Sequence, residues 1–230
     1  MIPIVLIPGL ACTAEVFAPQ TAALWPRGPV MIASTMEGDS IAAMAAAILR
    51  DAPPRFALGG ISMGGYVSLE IMRQAPERVV KLALLDTSAR SDTPEQMDAR
   101  RLLNERVANG ELEVVLAQVT PNLLHPNHRN RQDLIDVQVR MGRDVGSEGF
   151  IRQEAAITQR IDSRPHLSNI KVPTLVLVGD KDPLTPPDRS KEIAVAISGA
   201  RLVVVPDCGH ASTLEQPDAV SAALLEWVSA

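Results

Sequence analysis

The sequence predicts an α/β protein: a doubly wound, mainly parallel sheet with a helical segment inserted into it. Three observations carry this reading. Six short runs rich in Val, Ile and Leu recur along the chain, mostly without polar alternation, as parallel strands covered on both faces require. Helix-like segments separate most of them, and a β-α-β-α alternation returns each strand parallel to the last. The alternation lapses once, between about residues 93 and 166, where helical patterns occur without a convincing strand.

In chain order, strands are predicted over 2–7, 30–34, 55–59, 80–85, 174–178 and 201–205, with helices over 15–24, 40–50, 66–74, 188–197 and 218–228. Such sheets bind ligands beyond the carboxyl ends of their strands. In the interruption, Met97, Leu102, Leu103 and Val107 follow helical spacing, as do Leu134, Val137, Met141 and Val145, with Pro94, Pro121, Pro126 and Pro165 as punctuation. A simple crossover needs only about a dozen residues. Residues 93–166 are therefore read as a helical lid on a core formed by 1–92 and 167–230, the plainer alternative being helices that cover a sheet face.

Composition narrows the function. The 230 residues are 46% hydrophobic and 21% charged, with a net charge of −5 and no long basic run. That is a globular balance, and it argues against nucleic acid or an anionic membrane as partner. No apolar run reaches the ~20 residues of a membrane span. The first ten residues lack a basic flank and are broken by Pro8-Gly9, so they read as a strand rather than an export signal, and a cytoplasmic location is expected. Two cysteines, Cys12 and Cys208, make no disulfide framework and are read as buried or incidental thiols. His125 and His128 form an H-x-x-H without a carboxylate or cysteine at ligand spacing, so neither a metal nor an organic cofactor is expected.

The residues that carry chemistry begin at Gly60-Ile61-Ser62-Met63-Gly64, a G-x-S-x-G between a predicted strand and a predicted helix. This pattern is the nucleophile elbow of serine hydrolases, in which a tight turn lifts a hydroxyl clear of the sheet at a helix N-terminus. Two other glycine-loop readings fail on spacing. A P-loop needs Lys where Gly65 stands, and a dinucleotide fingerprint needs glycine where Ile61 or Ser62 stands.

A serine hydroxyl is a weak nucleophile and needs a base, and the base needs an orienting acid. His210 lies just beyond the last predicted strand, after Gly209, and is the candidate base. Asp182, in the turn after the strand at 174–178, is the preferred acid, and Asp180 in the same turn and Asp86 after the strand at 80–85 stay open as alternatives. The order Ser62, Asp182, His210 is Ser-Asp-His. Two backbone amides are needed for the developing oxyanion, and Met63 and Leu10 are the candidates.

On L-I-P-G-L (6–10), G-I-S-M-G-G (60–65), L-V-G-D-K-D-P-L-T-P (177–186) and D-C-G-H-x-x-x-x-E-x-P (207–217), the chain resembles the α/β-hydrolase superfamily. It is most similar to small lidded members such as 3-oxoadipate enol-lactonases, pimeloyl-ester carboxylesterases and C–C bond hydrolases. It departs from them at Pro8, at 35–40 and at Ser212, in loops that shape the pocket. The resemblance implies a serine hydrolase acting on a small-molecule ester, lactone or thioester, with a C–C hydrolase, a perhydrolase or a non-catalytic receptor as alternatives. The pocket is expected to be lined by Leu, Val, Ile and Met. A lid arginine facing a substrate carboxylate is weighed against solvated ion pairs, and the latter are preferred.

Overall fold

The six apolar runs form six strands, β1 (Ile4–Ile7), β2 (Val30–Ile32), β3 (Phe56–Ile61), β4 (Val79–Leu85), β5 (Thr174–Gly179) and β6 (Arg201–Val205), in the computed structural model, which describes residues 1–229. They pair in the order β2-β1-β3-β4-β5-β6, every neighbouring pair parallel. The mainly parallel sheet of the sequence reading is thus wholly parallel among the described residues. β1, β3 and β5 are buried at every position, whereas the edge strands β2 and β6 are largely half-exposed. From β1 the chain runs outward to β2 and then returns to the far side of β1 at β3. The β1/β3 boundary is therefore the switch point where a crevice opens past the strand ends.

The described helices are α1 (Ala18–Leu24), α2 (Ile41–Asp51), α3 (Met63–Gln74), α4 (Pro94–Ala108), α5 (Leu112–Leu123), α6 (Gln132–Thr158), α7 (Pro187–Ala196), α8 (Ser212–Glu215) and α9 (Pro217–Ser229). The two-residue period of the strands sorts the core onto two faces. Val5 and Ile7 of β1 pack with Met44 and Ile48 of α2, Val67 and Ile71 of α3 and Ile193 of α7. Ile4 and Leu6 face the other way, with Leu24 of α1 and Val220, Leu224 and Trp227 of α9. Each such side chain contributes about 1.5–3 kcal/mol on burial.

Element boundaries moved where glycine and proline act. The helix expected from residue 15 is a 3₁₀ turn, Ala14–Phe17, followed by α1, because Pro19 lies at a helix start. β2 stops at Ile32, short of the expected 34. β3 runs on to Ile61, and α3 begins at Met63, three residues before the expected 66. Gly64 and Gly65 fall in the first turn of α3, where a Cβ would run into the Ile7 backbone at 64 and the Thr87 side chain at 65.

Residues 93–166 hold α4, α5 and α6. Thr93 and Gln96 exchange hydrogen bonds in a capping box that starts α4 after Asp92. The inward stripe of α4 runs through Arg100, Leu103 and Val107, and Leu102, expected to be buried, is 59% exposed. The stripe in α6 agrees with its periodicity: Leu134, Met141 and Val145 are buried. That helix breaks at Gly146, whose φ of 73° interrupts the helical dihedrals. Val107, Val115, Leu116 and Phe150 pack on Leu10 and Ala11 after β1, and Leu124 and Leu134 pack near Ala211 and Leu214 after β6. The segment therefore lies against the loops at the carboxyl ends of β1 and β6. No described helix is long and apolar enough to cross a membrane.

Candidate active site

Ser62 is the single residue between β3 and α3, held at φ 55° and ψ −116°. A non-glycine residue in the left-handed half of the map is strained and persists only where its surroundings impose it. Here they do: Ser62 N donates to Leu85 O at 2.9 Å, and Ser62 O accepts from Gly65 N at 2.9 Å and Thr87 Oγ1 at 2.8 Å. The flanking glycines have a direct reason. A Cβ on Gly60 would lie 2.2 Å from Gly64 O, and one on Gly64 would lie 2.0 Å from Ile7 O.

The structure brings Ser62, His210 and Asp182 into one hydrogen-bonded line, with Ser62 Oγ 2.9 Å from His210 Nε2 and His210 Nδ1 2.8 Å from Asp182 Oδ2. The three come from the loops after β3, β5 and β6. Thr185, which the sequence reading quoted in a motif but gave no role, anchors the acid. Its N–H donates to Asp182 Oδ1 at 2.9 Å and its hydroxyl to Oδ2 at 2.7 Å, and Leu184 N adds 2.9 Å to Oδ1. His210 N donates to Leu123 O at 2.7 Å, so the loop bearing the imidazole is tied to the end of α5.

The electrostatics follow from burial and pairing. Burial opposes a charge on Asp182, but His210 and the Thr185 donors outweigh it and hold the carboxyl below its usual range. Burial likewise opposes an imidazolium at His210, and Asp182 outweighs it, leaving the ring more basic than an ordinary histidine. Neither alternative acid meets His210. Asp180 turns its Oδ1 to Cys208 N at 3.0 Å and shapes the loop. Asp86 is wholly buried, accepting from Gly179 N at 3.0 Å and from the Ser212 hydroxyl. Burial first, and then the charge of Asp182, push its carboxyl up to about 8.

Met63 directly follows Ser62 at the start of α3, and Leu10 lines the same cleft as the serine. A Cβ on Gly9 would be 3.4 Å from Ser62 Cβ, which brings the loop after β1 against the serine. Among the described residues neither the Leu10 nor the Met63 amide donates a hydrogen bond. The next amide, Ala11 N, is taken by Gln153 Oε1 of α6 at 2.9 Å, and Gln153 Nε2 reaches Thr35 Oγ1 at 3.0 Å. Sequence reasoning missed Gln153, because its partners lie more than a hundred residues away and no local motif marks it.

The cleft over Ser62 encloses about 630 Å³, counting its open mouth. Leu10, Val16, Leu123, Ile157 and Leu184 line it as expected, with no methionine, and Tyr66 and Arg100 join them. Cys12 lines it too, half-buried, its thiol pushed up to about 11 by burial, and Cys208 is buried, both unbridged. His125 and His128 have carboxylate company that the sequence did not reveal. Asp207 lies 3.1 Å from His125 Nδ1 and 3.3 Å from His128 Nε2, and Glu215 lies 2.9 Å from His128 Nδ1. Among the described residues no group of three or more His, Cys, Asp or Glu is arranged to hold a metal ion.

Comparison with known proteins agrees with this architecture. Over 179 residues the chain is 30% identical to a Mycobacterium tuberculosis protein named as a candidate non-heme bromoperoxidase, BpoC, a match covering 73% of the chain and 66% of that protein, just under two thirds of its length. It is 28% identical over 240 residues to the pimeloyl-[acyl-carrier protein] methyl ester esterase of Neisseria meningitidis, covering 97% of the chain and 75% of the relative. Among solved structures it is similar to the enol-lactonase of Burkholderia xenovorans LB400, with a TM-score of 0.89 at 26% identity over 99% of the chain and 91% of that structure. A thermophilic esterase of Thermogutta terrifontis matches with a TM-score of 0.88 at 30% identity over 100% and 90%. The model of the alpha/beta hydrolase family matches residues 4–223, and with the wholly parallel sheet and the serine turn it establishes that the chain belongs to the alpha/beta hydrolase family.

Proposed function

We propose that the enzyme is a serine hydrolase that cleaves a small or medium carboxylic ester, lactone or thioester through an acyl-enzyme. The observation that carries this is the hydrogen-bonded line Ser62–His210–Asp182, set beside two amides with no other acceptor among the described residues. His210 Nε2 takes the Ser62 proton as Oγ attacks the acyl carbonyl, and the amides of Leu10 and Met63 hold the negative charge that forms on its oxygen. His210 then gives the proton to the leaving oxygen or sulfur. Water, deprotonated by the same nitrogen, releases the acid and regenerates Ser62. Asp182 holds the ring in the tautomer that leaves Nε2 free and stabilises the imidazolium.

Residues 93–166 act as a lid over the core formed by 1–92 and 167–230, and their packing on the loops after β1 and β6 supports this role. The names of the Neisseria relative and of the two solved neighbours, an esterase, an enol-lactonase and a second esterase, support acyl transfer to water. The BpoC name raises a second reading, in which hydrogen peroxide replaces water on the acyl-enzyme and a peracid leaves. Both use the same serine. The test is turnover of 4-nitrophenyl esters of graded chain length, with and without peroxide, by the wild type and Ser62→Ala. Release of nitrophenol by the wild type, with a loss of at least about 10³-fold in the variant, supports the reading. Equal turnover by both proteins would overturn it.

A further inference from the structure

The Ser62 cleft joins an aliphatic lining to a polar one. Leu10, Val16, Ile157 and Leu184 form its aliphatic part, and Leu184 also lines the space next to it. The cleft also reaches Tyr66 and Arg100, and these two line that adjoining space together with Arg90, Arg160 and Arg189. Asp92 is the only acidic residue on that second wall among the described residues.

Arg100 enters from α4 with its side chain 15% exposed. Nε donates to Asp92 Oδ2 at 2.7 Å and Nη1 to Glu154 Oε2 at 2.5 Å, which fixes the plane of the guanidinium. Nη2, on a residue that lines the cleft, has no partner among the described residues. Tyr66 follows Ser62 by one turn of α3, and no hydrogen bond uses its hydroxyl among the described residues. Arg160 lies 4.2 Å from the centre of its ring. Burial pushes the phenol above its usual range, so it keeps a proton to donate. Burial opposes a charge on Glu154 and holds its carboxyl above its usual range, against the pull of Arg100. A planar cation with one unpartnered nitrogen, beside an unused hydroxyl donor, is suited to a carboxylate.

We propose that this polar part of the cleft binds a carboxylate carried by the substrate, so that the favoured acyl group is a half-ester of a short dicarboxylic acid. Its carbonyl sits at Ser62, its methylenes lie along the aliphatic wall, and its far oxygens meet Arg100 and Tyr66. The proposal rests on the reading of Ser62 as nucleophile.

The test compares mono-4-nitrophenyl glutarate with 4-nitrophenyl pentanoate, two esters with five-carbon acyl chains that differ in the terminal acid. The wild type is expected to prefer the glutarate ester, and free glutarate to inhibit turnover of the pentanoate ester competitively where pentanamide does not. In Arg100→Gln/Glu154→Gln, which removes the cation together with a carboxylate it would strand, the ratio of kcat/KM for the two esters should fall about 10- to 100-fold, mainly through KM. Arg100→Lys should fall between. Turnover of both esters without preference, or a ratio unmoved in a folded variant, would overturn this proposal alone. Should the variants not fold, absence of glutarate inhibition in the wild type would overturn it. Turnover of neither ester would overturn the nucleophile reading, and this proposal with it.

Discussion

Buried acids of opposite character sit side by side behind the candidate nucleophile. Asp182 is charged because His210 and Thr185 stabilise it, whereas Asp86 keeps its proton because burial and the nearby Asp182 charge penalise losing it. The sign for stability follows. In the unfolded chain Asp86 ionises near its ordinary 3.8, and in the folded protein near 8, so stability falls as pH rises through that window. Asp86→Asn is expected to remove this pH dependence and to gain on the wild type at pH 8, read from urea midpoints at pH 5 and pH 8. A larger loss at pH 8 than at pH 5 would contradict it. The raised basicity of His210 has a kinetic counterpart. The base must be neutral to take the Ser62 proton, so kcat/KM should decline on acidification with a midpoint above the ordinary 6.5. A midpoint at or below 6.5 would show that Asp182 does not support the ring.

At the scale of elements, the helical insert reaches the core through a few long-range bonds. Gln153 of α6 holds the Ala11 amide at the bend after β1, where Ala11 has a φ of 54°, one residue from the proposed Leu10 donor. Gln153→Leu is expected to lower kcat about tenfold with little change in KM, less than the 10²–10³-fold of losing an oxyanion donor outright. A change confined to KM would assign Gln153 to binding instead. Glu215 makes a second bridge. Its Oε1 accepts from Gly209 N at 3.0 Å, and its Oε2 from His125 N at 2.8 Å, so one buried carboxylate joins the His210 loop to the loop after α5. These contacts were not legible beforehand. Gln153 carries no local pattern, and His125 and His128 seemed to lack acids because Asp207 and Glu215 are some eighty to ninety residues distant. The expectation of solvated lid arginines holds for Arg131 and Arg143 and fails at Arg100 and Arg160, whose charges are covered together with Asp92.

For the whole molecule, the sheet was legible because every strand is a dense apolar run bounded by turn residues, and register could only follow the two-residue period. The serine turn was legible because its geometry admits only glycine at 60 and 64. The acid was legible only as a preference for Asp182 over Asp86 and Asp180, since all three follow strands whose ends lie together in the sheet, and only side-chain direction separates them. Every part of the functional account depends on one atom, Ser62 Oγ. The direct measurement is peptide mass mapping after treatment with a fluorophosphonate. The predicted result is a single phosphonyl adduct on Ser62, formed by the wild type, absent from Ser62→Ala and strongly slowed in His210→Ala. An adduct on another residue, or none on a folded wild type, would contradict the account.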